Sequence, residues 1–275
     1  EKMIGTNLKD IVKPEGRSFG PAKLVVSKLT TKKAGHFDVP VNGVSFTVRS
    51  GEILGIAGVA GNGQNALLDA LSGELRGDDA NAITIDGKGV GLLDTNGRRE
   101  QGLCAVPEER NGHAAVGDFT LADNSVLTAR ERMGMVGSGL IKTSVAKLYT
   151  DKIIADFSVK ALGPQSLAGS LSGGNLQKYI MGREILQKPG VLVVSQPTWG
   201  VDAGAAAAIH QALVDLALAG SAIVVISQDL DELRALADTL AVINMGQLSE
   251  ARPVQDFSVE EIGLLMGGIH GTEAA

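Results

Sequence analysis

Residues 53–72, ILGIAGVAGNGQNALLDALS, decide the predicted fold, because an apolar run passes through a glycine-rich loop into a helical pattern. The run before the loop is typical of a strand buried on both faces of a parallel sheet. Leu67, Leu68 and Leu71 then follow at helical spacing. A strand, a glycine loop and a helix are the setting that a phosphate-binding loop requires. The same residues also suit a plain strand-to-helix turn.

The loop departs from the working pattern, G-x-x-x-x-G-K-S/T, in which amides surround the phosphates, lysine neutralises them and a hydroxyl holds magnesium. Gln64 stands at the lysine position and Asn65 at the hydroxyl position. Neutral amides donate hydrogen bonds but do not offset the charge of a triphosphate, so we expect weakened nucleotide binding and no hydrolysis here. The candidate nucleotide-binding residues are Gly58, Gly61, Asn62, Gly63, Gln64 and Asn65.

Composition limits the classes of function. The 275 residues carry a net charge of −6, which argues against a nucleic-acid surface. The single cysteine, Cys104, lies in an apolar stretch, so we expect a buried, inert thiol and a reducing, cytoplasmic compartment. The four histidines show no ligand spacing, so no metal site is predicted. No apolar run approaches the roughly 20 residues of a membrane span, and nothing resembles a signal peptide.

The chain is predicted to be one large domain, residues 21–275, behind a short polar segment. Residues 1–20 contain Pro14 and show no sustained period, so we interpret them as a linker or the tail of a preceding homologous domain. The runs LVVSKL and VSFTV, between residues 24 and 48, predict an antiparallel sheet. Helical patterns between residues 121 and 157 predict a helical subdomain at about 118–187.

A second glycine-rich stretch, LSGGNLQK at residues 171–178, opens a predicted helix. Crowded glycine amides, a serine hydroxyl and the positive end of a helix form a site for an anion. Ser-Gly-Gly before a helix is also an ordinary N-cap and tight turn. The residues of this stretch therefore leave both interpretations open.

The predicted strand that follows, residues 191–194, ends without a carboxylate. In phosphoryl-transfer sites such a strand ends in acids that hold magnesium and polarise the attacking water, whereas here it ends in Ser195 and Gln196. The turn PTWGVD then leads into an alanine-rich helix, for which Asp202 is either a cap or an interface residue. Asp229 and Asp231 are adequate starters for a further helix at 230–237.

These stretches together resemble the nucleotide-binding domain of an ATP-binding-cassette (ABC) transporter. GVAGNGQ, VPEER, LSGGNLQK, QPTWGVD and SQDLDEL occur in the family's order and spacing, over roughly residues 24–268. They are most similar to the second cassette of the double-cassette ATPases that serve simple-sugar and nucleoside importers. The resemblance implies an α/β fold with a P-loop NTPase-like parallel-sheet core, an antiparallel β subdomain and an inserted α-helical subdomain.

The resemblance also implies roles for individual positions. Two cassettes of the family pair head to tail, and each ATP lies between the phosphate loop of one and the signature of the other. Gln196 and Gln228 replace the usual glutamate and histidine, so no catalytic residue is assigned. Glu108 lies where many cassettes carry a glutamine that senses the nucleotide and contacts the permease, and Asp202 keeps the interface aspartate. The signature residues are Ser172, Gly173, Gly174 and Asn175.

The chain is therefore expected to be the degenerate second cassette of an importer ATPase. We expect it to hydrolyse little or no ATP by itself, so whether it is an enzyme in its own right is left open. ATP is expected to bind weakly or idly in its own site, and Mg²⁺ there is doubtful. Expected partners are a homologous first cassette, transmembrane permease subunits and, indirectly, a substrate-binding protein, with no nucleic acid. The expected location is peripheral, on the cytoplasmic face of the cell membrane.

Two alternatives remain open at this level. The chain could be a slow ATPase in its own right, with Glu108 or Asp229 supplying charge. It could also be a cassette used outside transport, as in repair or translation factors that resemble this family. Those proteins usually carry long inserted helical arms, and the sequence shows no such arm.

Overall fold

Strands and helices alternate along most of the chain in the computed structural model, which describes residues 12–14, 16–33, 35 and 38–268. The strands are β1 (Ala22–Leu29), β2 (Val44–Arg49), β3 (Ile53–Ala57), β4 (Ile83–Ile85), β5 (Lys88–Gly89), β6 (Leu103–Val106), β7 (Val136–Gly137), β8 (Leu140–Ile141), β9 (Val191–Ser195), β10 (Ala222–Ser227), β11 (Thr239–Asn244), β12 (Gln247–Leu248) and β13 (Arg252–Pro253). The α-helices are α1 (Gln64–Ser72), α2 (Thr95–Glu100), α3 (Leu121–Ala129), α4 (Thr143–Asp156), α5 (Gly173–Ile185), α6 (Ala203–Leu218), α7 (Leu230–Leu236) and α8 (Val259–Met266).

The described residues divide into two compact units. The sheet unit contains residues 16–105, 190–196 and 217–268. The helical unit contains residues 12–14, 106–189 and 197–216. The glycine loop that follows β3 belongs to the sheet unit, and the LSGG stretch belongs to the helical unit.

The sheet unit is built on a seven-stranded sheet in the order β12-β11-β3-β10-β9-β6, with β13 also paired to β11. Strands β3, β9 and β10 are buried at every position, as expected for parallel strands covered on both faces. Ala57 at the end of β3 lies opposite Ser227 of β10 and Val242 of β11 in parallel register. The loops that leave β3, β9 and β10 therefore emerge at one edge of the sheet, where ligands of such folds bind.

A second, antiparallel sheet in the order β2-β1-β4-β5 completes the sheet unit. Its inward side chains, such as Leu24 and Val48, join a core that includes Ile56 and Leu67. Leu24 pairs with both Val48 and Ile85, which places β1 between β2 and β4. The predicted α/β fold, with a P-loop NTPase-like parallel core and an antiparallel subdomain, is confirmed.

Helix α2 is a feature of the sheet unit that the sequence patterns did not predict. Its Arg98 is fully buried, and the guanidinium donates to the backbone oxygens of Ala70, Leu71 and Gly91. Burial lowers the pKa of Arg98 to about 10. The buried charge therefore holds the C-terminal end of α1 through backbone oxygens.

The helical unit contains α3, α4 and α5 around a hydrogen-bonded polar core. The Tyr179 hydroxyl on α5 donates to the backbone oxygen of Leu121 at 2.6 Å and lies 2.9 Å from Ser125 Oγ. Burial raises the pKa of Tyr179 to about 12, so the phenol stays protonated and serves as a donor. The β7–β8 hairpin lies between α3 and α4 in the chain.

The segment predicted to be a linker contacts the sheet unit over part of its length. Arg17 forms an ion pair with Asp238, and the Gly20 N–H donates to the backbone oxygen of Ser50 at 2.8 Å. Residues 1–11, on which the proposed tail of a preceding domain also rests, lie outside the described residues. Among the residues described, no helix combines the length and apolar character of a membrane span.

Candidate nucleotide site and signature surface

The candidate phosphate loop follows β3 directly and depends on its glycines. Gly61 and Gly63 have φ values of 83° and 105°, a region that side chains with a Cβ rarely adopt. A Cβ on Gly58 would lie 2.7 Å from Gln64 Nε2, and one on Gly63 would lie 3.1 Å from the Cα of Gly246. The loop therefore has the tight backbone course that a phosphate-binding loop needs.

The side chain of Gln64 occupies the interior of this loop. Its Oε1 accepts the backbone N–H of Asn62 at 2.9 Å, and its Nε2 donates to the backbone oxygen of Val59 at 2.8 Å. The side chain is only 9% exposed. One backbone amide of the loop is thus already paired within the protein, and the residue that replaces lysine brings no positive charge.

Asn62 connects the loop to the turn between β11 and β12. Its side-chain Oδ1 accepts the Met245 N–H at 3.1 Å, and its backbone oxygen accepts the Gly246 N–H at 2.9 Å. Asn65, at the position of the magnesium-binding hydroxyl, is exposed. The structure therefore places Asn62 in a structural role and Asn65 at the surface.

A cavity of about 270 Å³ opens beside the loop within the sheet unit, lined in part by Gln64 and Asn65. Among the described residues that line it, the charged ones are Lys32, Asp38 and Asp69. One cation and two carboxylates give a net formal charge of −1. Lys32 also lies 3.3 Å from the exposed Asp78 carboxylate, so its charge is partly compensated. The lining charges therefore disfavour a triphosphate.

The end of β9 carries a buried network of hydrogen bonds. Gln196 has a φ of 50° and is 6% exposed, and its Oε1 lies 3.3 Å from Ser227 Oγ. The same hydroxyl donates to Glu232 Oε2 at 2.7 Å. The sequence predicted the absence of an acid at the strand end but did not predict the role of Glu232, a buried carboxylate in the first turn of α7.

Of the two predicted helix starters, Asp229 caps the helix, and Asp231 lies in the first turn of α7. Asp229 Oδ1 accepts the N–H groups of Asp231 and Glu232 at 3.0 and 3.1 Å, so it caps α7. The carboxylate that could have supplied charge for slow hydrolysis is therefore engaged at this helix terminus. Gln228 is partly buried beside it.

The LSGG stretch forms the start of α5, with Ser172 at the N-cap position. The Ser172 side chain makes no capping bond to the helix backbone, and its hydroxyl accepts from Asn175 Nδ2 at 2.9 Å. Asn175 Oδ1 in turn accepts the Lys160 N–H at 2.9 Å. Ser172 and Gly173 are exposed. The first turn of the helix therefore presents its positive dipole end to solvent, and an ordinary serine cap does not account for it.

The turn that precedes α6 packs against this first turn of α5. Gln177 Nε2 donates to the backbone oxygen of Pro197 at 2.8 Å, and a Cβ on Gly174 would lie 3.6 Å from the backbone oxygen of Gly200. Asp202 Oδ1 accepts the Ala205 N–H at 2.9 Å, so Asp202 caps α6. This bond, with the nearby Lys178 ammonium, lowers the pKa of the Asp202 carboxyl.

Two further residues belong to the same surface; they lie within the motifs VPEER and QPTWGVD, but the sequence assigned neither of them a role. Arg110 donates to the backbone oxygen of Trp199, and Trp199 is 64% exposed. Burial lowers the pKa of Arg110. Glu108, two residues before Arg110, is exposed. We call residues 172–175 together with Arg110, Trp199 and Asp202 the signature surface.

Known proteins share both the fold and the sequence pattern. The chain aligns with the structure of an ATP-binding subunit of an ABC transporter at a TM-score of 0.68, with 19% identity over 91% of this chain and 95% of that one. The dimeric ATP-binding cassette MJ0796 bound to ADP and Pi aligns at 0.70, with 18% identity over 85% of this chain and 100% of that one. These similarities define the fold as that of an ATP-binding cassette.

The sequence comparisons identify the family. The family model described as ABC transporter matches residues 41–199. The chain is 33% identical to the guanosine import ATP-binding protein NupO of Bacillus subtilis (strain 168), over 99% of this chain and 53% of that protein. It is 30% identical to the ribose import ATP-binding protein RbsA of Oceanobacillus iheyensis, again over 99% and 53%. The chain belongs to the ABC transporter family, and it spans about half the length of these relatives.

Proposed function

We propose that this chain is the second, degenerate cassette of an ATPase that drives import of a sugar or a nucleoside. Relatives about twice its length leave room for a homologous first cassette. In this proposal the chain lends Ser172, Gly173, Gly174 and Asn175 to nucleotide bound by that cassette, while its own site stays idle.

The idle half of the proposal rests on charge and on hydrogen bonding. The nucleotide cavity has lining residues of net charge −1, and Gln64 already pairs with the loop amide of Asn62. No carboxylate stands at Gln196 to orient water. Removing one preorganised group usually costs about 3 kcal/mol of transition-state stabilisation, so the joint absence of several silences hydrolysis. ATP binding at this site is then weak, and Mg²⁺ has no hydroxyl or strand-end acid to hold it.

The donor half of the proposal rests on the open start of α5. Ser172 and Gly173 are exposed, and the serine makes no cap that would occupy the helix terminus. A 13-residue helix has a dipole that attracts a phosphate at this end. The single observation that carries the proposal is this contrast between a phosphate loop filled by its own glutamine and a signature left open.

The remaining partners follow from the same proposal. Glu108 is exposed on the loop where the family contacts the permease, so we assign it to coupling with transmembrane subunits. A substrate-binding protein would deliver the solute to those subunits and would not touch this chain. The chain would then be held at the cytoplasmic face of the membrane by the permease.

The test combines this chain with a homologous first cassette and measures phosphate release from Mg-ATP. We expect little release from this chain alone and steady release from the pair. Ser172→Arg should abolish release by the pair, because a long side chain fills the corner meant for nucleotide. Ser144→Arg, at an exposed serine in α4, is the matched control and should leave the rate unchanged. Full activity of the Ser172→Arg pair would overturn the proposal.

A second candidate function, slow hydrolysis by this chain itself, is favoured by one observation. Glu232 is a buried carboxylate whose Oε2 accepts from Ser227 Oγ at 2.7 Å, and that hydroxyl lies next to Gln196. If the purified chain releases phosphate steadily and Glu232→Gln stops it, this candidate replaces the idle site.

A further inference from the structure

We propose that Arg110 is a positioning residue that ties the loop carrying Glu108 to the signature, so that the two move together. The expected effect of Arg110 on ATP hydrolysis rests on the proposed function. The contacts of Arg110 all lie within the helical unit and do not depend on it. Arg110 need not touch nucleotide in this role. It acts through the backbone of the first turn of α5 and of the turn at Trp199.

The first half of the argument is the contact between Arg110 and the turn before α6. The guanidinium donates to the backbone oxygen of Trp199, 89 residues away in the chain. A Cβ on Gly200 would lie 3.2 Å from Nη2, and Gly200 has a φ of 64°. The absent side chain at position 200 therefore gives the guanidinium room beside the backbone.

The second half is the contact between the same guanidinium and the signature. A Cβ on Gly173 would lie 2.8 Å from Arg110 Nη1, so the guanidinium lies directly on the first residue of α5. The planar guanidinium presents five N–H donors in a fixed fork. A single arginine side chain thus contacts both the signature and the turn at Trp199. A lysine has one compact ammonium group and could not contact both in the same way.

The loop that carries Arg110 is itself rigid and is attached to α5 a second time. The Ala114 N–H donates to the backbone oxygen of Glu109 at 3.0 Å, and the Ala115 N–H donates to that of Arg110 at 2.8 Å. Arg183, near the other end of α5, donates to the backbone oxygen of Ala114 at 2.8 Å. Residues 173 and 183 lie about 15 Å apart along a helix. Because the loop is attached near both ends of α5, a translation or a rotation of the loop would move the whole helix with it.

The first experiment uses this chain alone and reads the contact directly. Trp199 is the only tryptophan, so its quenching by acrylamide reports this turn without a label. Arg110→Gln should increase the quenching, since a charged hydrogen bond is lost. It should also speed amide exchange by about tenfold at Leu176 and Val201, whose N–H groups donate to the backbone oxygens of Ser172 at 2.9 Å and Thr198 at 3.3 Å. Arg110→Lys should give an intermediate effect. Arg130→Gln, in the same unit and paired only with its neighbour Glu131 at 3.4 Å among the ion pairs described, is the control.

The second experiment uses the pair of cassettes. Arg110→Gln should lower kcat roughly ten- to hundred-fold with KM for ATP little changed, because the signature is misplaced rather than removed. Arg110→Lys should recover part of the loss, and Arg130→Gln should have no effect.

The outcomes separate the two proposals. Unchanged quenching and exchange in Arg110→Gln overturn the positioning role, whatever the pair does. Altered exchange with a wild-type kcat, in a pair that Ser172→Arg still inactivates, overturns it as well. Full activity of the Ser172→Arg pair overturns the proposed function. The quenching and exchange measurements on the isolated chain then still decide whether Arg110 holds the two turns.

Discussion

Replacement of Gln64 by lysine is the sharpest perturbation of the nucleotide site. Lysine keeps a donor for the backbone oxygen of Val59, which accepts from Gln64 at 2.8 Å, but it offers no acceptor to the Asn62 N–H. The variant therefore releases one loop amide and adds one positive charge in the same position. Both changes favour a bound phosphate.

The magnitudes follow from these two bonds. Loss of the 2.9 Å bond from Asn62 should destabilise the free protein by about 1 kcal/mol, the net value of one hydrogen bond. A charged contact to phosphate contributes about 2 kcal/mol, the middle of the range for hydrogen bonds to charged groups. That free energy corresponds to roughly thirtyfold tighter binding of ATP.

The assay pairs urea unfolding with calorimetric titration of ATP, each on the wild type and the variant. The matched control is Asn65→Lys, which adds the same charge beside the same cavity but leaves the Gln64 bond to Asn62 intact. We expect Asn65→Lys to tighten binding less than Gln64→Lys does. Equal gains from the two variants would show that charge alone limits binding and that the paired amide does not matter.

The reasoning is refuted if Gln64→Lys folds with near wild-type stability and binds ATP no more tightly than the wild type. In that case the hydrogen bond between Gln64 and the loop amide of Asn62 is not what limits ATP binding. The acidic lining, Asp38 and Asp69, would then be the remaining explanation within the described part of the cavity.

Three further predictions concern groups that the structure places in buried or capping positions. Asn124→Ala should lower the free energy of unfolding in urea by about 3 kcal/mol, because buried Asn124 bonds both backbone groups of Val116 at 2.8 and 3.0 Å; a change under 1 kcal/mol would contradict this. Asn62→Ala should cost about 1 kcal/mol in the same assay through loss of the Met245 bond, while Asn62→Asp keeps the acceptor and most of the stability. Asp202→Ala should cost about 1 kcal/mol as a lost helix cap, whereas Asp202→Asn keeps the capping oxygen. Since the folded-state pKa of Asp202 is lowered, any advantage of the wild type over Asp202→Asn is present above about pH 4 and disappears as the pH falls through the folded pKa, which a pH series of unfolding measurements checks.

Strands that form continuous apolar runs were predictable from the sequence. Strand β3 begins where the predicted apolar run begins, and β9 extends one residue beyond the predicted residues 191–194, because strands covered on both faces are continuous apolar runs. Helix α2 was not predictable, since its six residues, TNGRRE, carry no apolar face. Its buried Arg98 is satisfied by backbone oxygens, and such partners leave no trace in a pattern of side chains.

The sequence marked the positions of the candidate site residues, but it did not predict their hydrogen-bond partners. Gln64 and Gln196 stood out because charged residues were expected there, yet their hydrogen bonds to Val59 and Ser227 depend on the folded course of the loops. Arg110 is part of the VPEER motif but was given no role, because its partner lies far away in the chain and offers a backbone oxygen. The functional assignment of these positions stays a prediction until the variants are measured.

The pattern of hydrogen bonding is consistent with the proposed division between an idle phosphate loop and a donated signature. Under that proposal a position without a catalytic role is free to satisfy its neighbours, and Gln64 and Gln196 both bond to neighbours from buried sites. Residues that must receive a ligand cannot be satisfied in this way, because internal bonds would compete with it. The start of α5 fits that second class, because the Ser172 hydroxyl accepts from Asn175 Nδ2 but makes no capping bond to the N–H groups of the first turn, which stay available to a ligand. Selection for stability alone would be expected to fill that terminus, at a gain of about 1 kcal/mol, so its open state argues for a ligand that comes from outside this chain's own loop.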